Sequence, residues 1–214
     1  MIRVSRVTVL AFLIVLSASS IHAHDLSSYR DFQFGMNLSS VAKQAGMKLA
    51  EAKMLHQRPA MIQELWWQRS SGESSPLTDP VSEVVFSFYN GDLFRMVVTY
   101  DRYRTEGLTD DDMIEAISAK YGIVARPVAT IILFSSSQIY NENEKVLALW
   151  EDSQYSYDLY RSPNQHTFGI LIFSKRLDTL AQAAIVEAIR LDNQEAPQRE
   201  NEPQEKEKEN AENR

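Results

Sequence analysis

The chain contains no cysteine among its 214 residues. This absence excludes disulfides, thiolate-ligated zinc, a thiol nucleophile and the lipidated cysteine of a lipoprotein. Basic residues are also scarce, with 22 Lys and Arg against 29 Asp and Glu and a formal net charge of -7. Nucleic-acid binding depends on a basic surface that releases phosphate counterions, so the acidic balance argues against that class of function.

A long apolar run occurs only near the start, where residues 1–23 read MIRVSRVTVLAFLIVLSASSIHA. Arg3 and Arg6 precede the apolar stretch 7–16, and small residues follow up to Ala23. This is the three-part pattern of a secretory signal peptide, and the stretch is shorter than the roughly 20 apolar residues of a transmembrane helix. We expect a cleaved signal and a periplasmic or secreted protein without a transmembrane segment or lipid anchor. An uncleaved anchor is the alternative.

The other end of the chain is strongly polar. Residues 193–214 contain seven Glu and no apolar residue larger than alanine. Such a segment cannot bury enough apolar surface to offset the loss of chain entropy, which predicts a disordered acidic tail. The intervening residues 24–192 have the size of one ordinary domain.

Hydrophobic spacing and turn residues predict the secondary structure. Asn37 and Gly46 are suited to cap a short helix, and Thr109 with Asp112 forms a capping-box pattern that opens a second. Asn90-Gly91 suits a two-residue hairpin turn between strands 81–89 and 92–100. A final helix is predicted over 179–191. The segment 47–58 is ambiguous, although its composition favours helix. The remaining predicted strands are 62–68, 130–134, 146–150, 155–161 and 167–173.

The predicted order is therefore α-βββ-α-ββββ-α. Strands in consecutive runs pair antiparallel, which indicates an α+β fold with helices packed on one face of one or more antiparallel sheets. The first two helices begin at Asn37 and Thr109, and strands follow each of them. This arrangement is consistent with a duplicated unit.

Two short motifs carry a resemblance to a known group of proteins. Gly35-Met36-Asn37 is followed by Val41 and Gly46, and the segment 88–93 reads FYNGDL. Both resemble motifs of small bacterial envelope modules, namely the small lipoprotein of the outer-membrane barrel-assembly complex and the β-lactamase-inhibitor-protein-like modules. The resemblance implies helices on one face of an antiparallel sheet and a protein-binding role. The absence of cysteine departs from the lipoprotein members.

The candidate binding residues are Trp66, Trp67 and the segment Arg102-Tyr103-Arg104. Neighbouring residues on a strand point to opposite faces, so the two tryptophans cannot share one core layer. Arg and Tyr are enriched at protein interfaces. The sequence thus predicts a non-enzymatic module that binds an envelope or extracellular protein, or a surface, without a cofactor or metal.

Two other functions remain open. A hydrolase would use His56 or His166 with a carboxylate, although no nucleophile stands at a recognisable spacing. A copper site at His24 would need a second histidine, His56 or His166, and helix capping accounts for the acids 110–112 that could otherwise bind calcium. A carrier of a small ligand or lipid would enclose an apolar cavity lined by Phe86, Phe88, Ile132 and Phe134.

The leader gives a direct test. The chain expressed in full in a bacterial host is expected to accumulate outside the cytosol as a product that begins near His24, which intact-mass spectrometry would detect. A cytosolic product that retains residues 1–23 would contradict the assignment of a signal peptide.

Overall fold

A computed structural model describes residues 25–69, 80–122, 130–134, 139–162 and 167–212. The predicted signal peptide, His24 and His166 lie outside these ranges. In chain order the elements are β1 (Ser28–Tyr29), β2 (Phe32–Gln33), α1 (Leu38–Gln44), a 3-10 turn (Leu49–Glu51), β3 (Lys53–His56), β4 (Ile62–Gln68), β5 (Val81–Tyr89), β6 (Asp92–Tyr100), α2 (Asp110–Tyr121), β7 (Thr130–Phe134), β8 (Ile139–Glu151), β9 (Tyr155–Arg161), β10 (Phe168–Ser174) and α3 (Lys175–Glu212).

The sheet consists of two four-stranded antiparallel meanders joined side by side. Its strand order is β3-β4-β5-β6-β10-β9-β8-β7, so the last strand of each meander lies at the centre. β6 and β10 pair antiparallel there. α1 precedes the first meander and α2 precedes the second, so both halves have the same order of elements. The predicted α+β class is confirmed, and the topology matches the idea of a repeated unit.

The first meander contains one strand more than the sequence predicted. β3 lies within the segment 47–58, whose composition favoured helix, and only the 3-10 turn is helical there. β3 pairs with β4, as in Lys53↔Glu64 and Met54↔Gln63. Pairing with a neighbouring strand outweighs helix propensity, which is a weak local preference.

The predicted caps and hairpin are confirmed. Asn37 Oδ1 accepts a hydrogen bond from the Ser40 N–H at 2.8 Å at the start of α1. Thr109 and Asp112 form a reciprocal capping box at the start of α2. Asn90 and Gly91 have φ angles of 52° and 93°, as a two-residue hairpin loop of this type requires.

The two motifs behind the family resemblance are in contact with each other. The N–H of Gly35 donates to the carbonyl of Leu93 at 2.9 Å, and the N–H of Leu93 donates to the carbonyl of Met36 at 2.8 Å. The N–H of Leu38 donates to the carbonyl of Gly91 at 3.1 Å. The β5–β6 turn therefore holds the N-terminus of α1 against the sheet.

One face of the sheet, which we call the main face, carries most of the core. Val41 of α1 and Ile117 of α2 are buried against it. Its largest fully buried side chains include Phe86, Trp150 and Tyr157. The Trp150 indole N–H donates to the Gly122 carbonyl at 3.2 Å, which ties the end of α2 to β8.

The opposite face, the second face, is covered in part by α3. Ala181 of α3 is buried against Ile62 and Phe94. Arg95, which neighbours the main-face residue Met96, forms an ion pair with Asp178. The expectation that all helices lie on one face is therefore corrected for α3. The central strands are apolar on both sides, and their second side also requires a cover.

α3 also extends beyond the predicted helix. Its backbone is helical to Glu212, through most of the segment 193–214 in which the sequence indicated a disordered tail. Glu195 pairs with Arg58 in the loop between β3 and β4. The absence of apolar residues argues against burial, whereas the abundant Glu, Gln and Lys of this segment have good helix propensity.

Gly169 provides a test of packing on the second face. A Cβ at this position would lie 2.3 Å from Cζ of Tyr160, its cross-strand partner. We expect Gly169→Ala to lower the free energy of unfolding by about 1–3 kcal/mol, because the buried ring would have to move. Urea denaturation measures this loss.

The matched comparison uses a Tyr160→Ala background, in which the ring is absent. There Gly169→Ala should leave the free energy of unfolding almost unchanged. An equal cost of Gly169→Ala in both backgrounds would show that the Tyr160 ring does not fill the space above the glycine.

Candidate binding face

One row of side chains runs across the middle of the second face. Trp66 of β4 is opposite Val85 of β5, which is opposite Val97 of β6, and Leu171 of β10 continues the row. Val85 and Leu171 are buried, whereas Trp66 and Val97 are partly exposed. We call these four residues the central row. It is an apolar strip on the face opposite the main core.

The Trp66 side chain is held by polar partners at its edge. Its indole N–H donates to Glu64 Oε2 at 3.1 Å, and Glu64 is only 4 % exposed. The ammonium group of Lys53, on the edge strand β3, lies 5.2 Å from the Trp66 ring centroid. A hydrogen bond and a cation–π contact both restrict the ring, so little conformational freedom is lost if a partner packs against it.

An ion pair fixes α3 beside this row. The Arg95 Nε–H donates to Asp178 Oδ1 at 2.8 Å, and Nη2 contacts the same oxygen. Arg95 is 8 % exposed, so removal of its partner would leave a nearly buried charge, which typically costs about 3–5 kcal/mol. Asp178 and Ile189 are about three helical turns apart and therefore lie on the same side of α3. Ile189, at 46 % exposure, therefore places an exposed apolar group on the side of α3 that carries Asp178.

A buried carboxyl group lies at the far end of the row. Asp158 of β9 is opposite Leu171 and accepts a hydrogen bond from the Ser156 hydroxyl at 2.6 Å. Burial is the main cause that raises the pKa of Asp158 to about 6, and the nearby negative charge of Glu151 adds to it. The carboxyl group therefore becomes charged only near neutral pH, at an energetic cost to the fold.

The structure separates the two predicted tryptophans as the sequence required. Trp66 lies on the second face, whereas Trp67 packs against the main core. The prediction that they point to opposite faces is confirmed, and their role in binding stays a prediction.

The predicted segment 102–104 belongs to another part of the surface, the connector between β6 and α2. Asp101 Oδ1 accepts hydrogen bonds from the backbone N–H groups of Tyr103 at 2.8 Å and Arg104 at 3.3 Å. Arg102 is exposed, and the Tyr103 side chain is 84 % exposed. The connector is thus a turn at the end of β6 that presents an aromatic ring to solvent.

The residues considered for a hydrolase site have other partners. His56 lies at the end of β3, and of two polar residues near it in the sequence, Arg58 pairs with Glu195 and Glu64 accepts a hydrogen bond from Trp66. Within the described ranges no group of three or more His, Asp and Glu residues is placed to hold a metal ion. Asp110 pairs with Arg161, and Asp112 belongs to the capping box, which accounts for two of the three consecutive acids.

Only two of the four residues considered for a carrier cavity have side chains in the described part of the structure. Phe86 and Phe88 are buried in the main core at 1 % and 0 % exposure. The side chains of Ile132 and Phe134 lie outside the described part of the structure.

The apolar residues on both sides of the hairpin 81–100 indicate from the sequence that both faces are at least partly covered, but the sequence did not show that α3 covers the second face. The position of α3 across only part of that face depends on Arg95 and Asp178, which are far apart in sequence.

Comparison with protein-family models, with curated proteins and with solved structures returned no match for this chain. In the described portion of the chain, no helix combines the length and apolar character needed to cross a membrane.

Asp158 gives a pH-dependent test of the second face. Because its pKa is raised in the folded state, the folded protein binds more protons than the unfolded chain between the ordinary Asp value and about 6. Stability should therefore fall as pH rises through this window, by up to roughly 3 kcal/mol for a shift of about two pH units. Asp158→Asn should remove this fall and be more stable than the natural protein at pH 7, as measured by urea denaturation at several pH values.

Asp112→Asn is the control with the opposite sign. The hydrogen bonds that Thr109 makes to the Asp112 side chain lower the pKa of that carboxyl group, so its stabilising effect is lost as pH falls. If the free energy of unfolding depends on pH in the same way in the natural protein and in Asp158→Asn, the assignment of a buried carboxyl group with a raised pKa is contradicted.

Proposed function

We propose that this protein is an exported, non-enzymatic module that binds a protein partner through the second face of its sheet. The observation that carries the proposal is the central row, in which a restrained and partly exposed Trp66 continues into Val85, Val97 and Leu171. The predicted signal peptide supports an envelope or extracellular location for the encounter.

The composition of this face favours a protein partner. Trp is among the residue types that contribute most binding energy at protein interfaces, and such residues lie in a desolvated centre with polar groups around it. The central row has this arrangement, since polar side chains on the same face flank it, namely Lys53 on the edge strand β3 and Gln68, Glu83 and Thr99 farther along β4, β5 and β6. Binding would displace water from Trp66 and Val97, the partly exposed members of the row, and would need no covalent step.

The position of α3 defines one border of the proposed interface. The Arg95–Asp178 pair holds the helix beside the row, and Ile189 extends the apolar surface from the helix side. A partner that contacts both the row and Ile189 would bury apolar groups of the sheet and of the helix. Tyr103 on the connector is a candidate for a second, independent contact.

The experiment compares capture of proteins from the organism's own envelope extract by the mature chain and its variants, with identification by cross-linking and mass spectrometry. Trp66→Ala and Val97→Lys are expected to weaken binding of the identified partner at least 10-fold. These changes remove the aromatic anchor and place a charge in the row.

Leu180→Lys is the matched control. Leu180 is also an apolar residue that is partly exposed, at 42 %, but it lies on the other side of α3 from Asp178. Its substitution should leave binding unchanged. All variants must first show the thermal unfolding of a folded domain. Equal capture by Trp66→Ala, Val97→Lys and the natural chain would reject the second face as the interface.

A further inference from the structure

The segment 25–36, which contains the β1–β2 hairpin and which we call the strap, is part of the main core. Leu26 is 4 % exposed and Tyr29 is 6 % exposed, and both belong to the main-face cluster of buried residues. The Phe32 ring lies against the Phe86 ring of β5, with the two centroids 4.6 Å apart. The strap therefore covers part of the sheet instead of trailing from it.

Hydrogen bonds connect the strap to three other elements. The Tyr157 hydroxyl of β9 donates to the Ser28 carbonyl. Gln44 at the end of α1 donates to the Asp31 carbonyl. The Gly35 N–H donates to a carbonyl of β6 at 2.9 Å. All of these partners belong to elements that follow the strap in the chain, so the docked position of the strap depends on the folded sheet and on α1.

The strap has little secondary structure that could persist away from the core. β1 and β2 contain two residues each. Arg30 between them has a φ of 55°, a conformation that costs free energy for a residue other than glycine. An isolated two-stranded hairpin is at best marginally stable in water. We therefore expect two states of the strap, one docked and ordered and the other undocked and extended.

The predicted end of the leader lies immediately before the strap in the sequence. Leu26 is three positions after Ala23, so an extended chain between the two residues spans at most about 11 Å. A peptidase binds its substrate as an extended chain in a cleft that holds residues on both sides of the cut bond. Burial of Leu26 in the core and binding of the chain by a leader peptidase therefore compete for the same few residues.

From this competition we infer that the strap is a conformational latch, in that its docking and the removal of the leader exclude each other. The leader is removed first, by hydrolysis. Water is added across the peptide bond near Ala23, which leaves a carboxylate on the leader and an amino group on the mature chain. Docking of Leu26 and Tyr29 then completes the main core. The latch depends on the proposed export of the protein but not on the proposed binding face.

The test measures release of the leader from the purified full chain by a bacterial signal peptidase in detergent, followed by intact-mass spectrometry. The refolded chain should be cut at least 10-fold more slowly than the chain diluted from urea directly into the peptidase. Equal rates would overturn the latch and leave the proposed export intact. Absence of cutting in both forms would reject the leader itself, and with it both the export and the latch.

A spacer separates the two competing events. Insertion of about six Gly and Ser residues between His24 and Asp25 adds up to about 20 Å of chain between the cut bond and the strap. The refolded spacer variant should be cut as fast as the chain diluted from urea, and failure of the spacer to accelerate cutting would overturn the latch. If the full chain does not refold with its leader, a soluble tag with a site-specific protease sequence replaces the leader. The same comparison with and without the spacer then decides.

A substitution far from the cut bond in sequence completes the test. Tyr157→Phe removes the hydroxyl that donates to the Ser28 carbonyl and keeps the ring, so the docked strap is weakened without a change near the cut bond. The refolded variant should be cut at least 3-fold faster than the refolded natural chain, with equal rates after dilution from urea. Tyr103→Phe is the matched control, because it removes a hydroxyl from a side chain that is 84 % exposed on the connector. Acceleration of the same size in Tyr103→Phe would overturn the link to the strap.

Discussion

The antiparallel pairing of β6 with β10 is the constraint on which the rest of the structure depends. It joins two four-stranded meanders into one sheet, with Val98 opposite Ile170 and Met96 opposite Ile172. All four of these side chains are buried. Because the joint lies at the centre, α1 and α2 share one continuous core, and neither half has to bury its apolar residues alone.

The pairing of β6 with β10 also produces the second face. Strands at the middle of an eight-stranded sheet have apolar residues on both sides, and α3 covers only part of the side opposite α1 and α2. The Arg95–Asp178 pair fixes the helix off the central row and leaves Trp66 at its border, restrained by Glu64 and Lys53. The proposed interface is therefore the part of the second face that α3 does not cover.

Local patterns in the sequence predicted a large part of this architecture. The caps at Asn37 and Thr109 and the turn at Asn90-Gly91 depend on residues within a few positions of each other, and all three were predicted. β3 was missed because its stability comes from pairing with β4 rather than from its own residues.

The amino-acid sequence by itself determined the α+β class, the helix ends, the central hairpin and the opposite directions of Trp66 and Trp67. These features follow from short-range geometry, since strand alternation and capping act within one strand or one helical turn. Tertiary structure alone decided which face α3 covers and which carboxyl group becomes buried. These depend on contacts between residues distant in sequence, such as Arg95 with Asp178, whose partners no local pattern specifies.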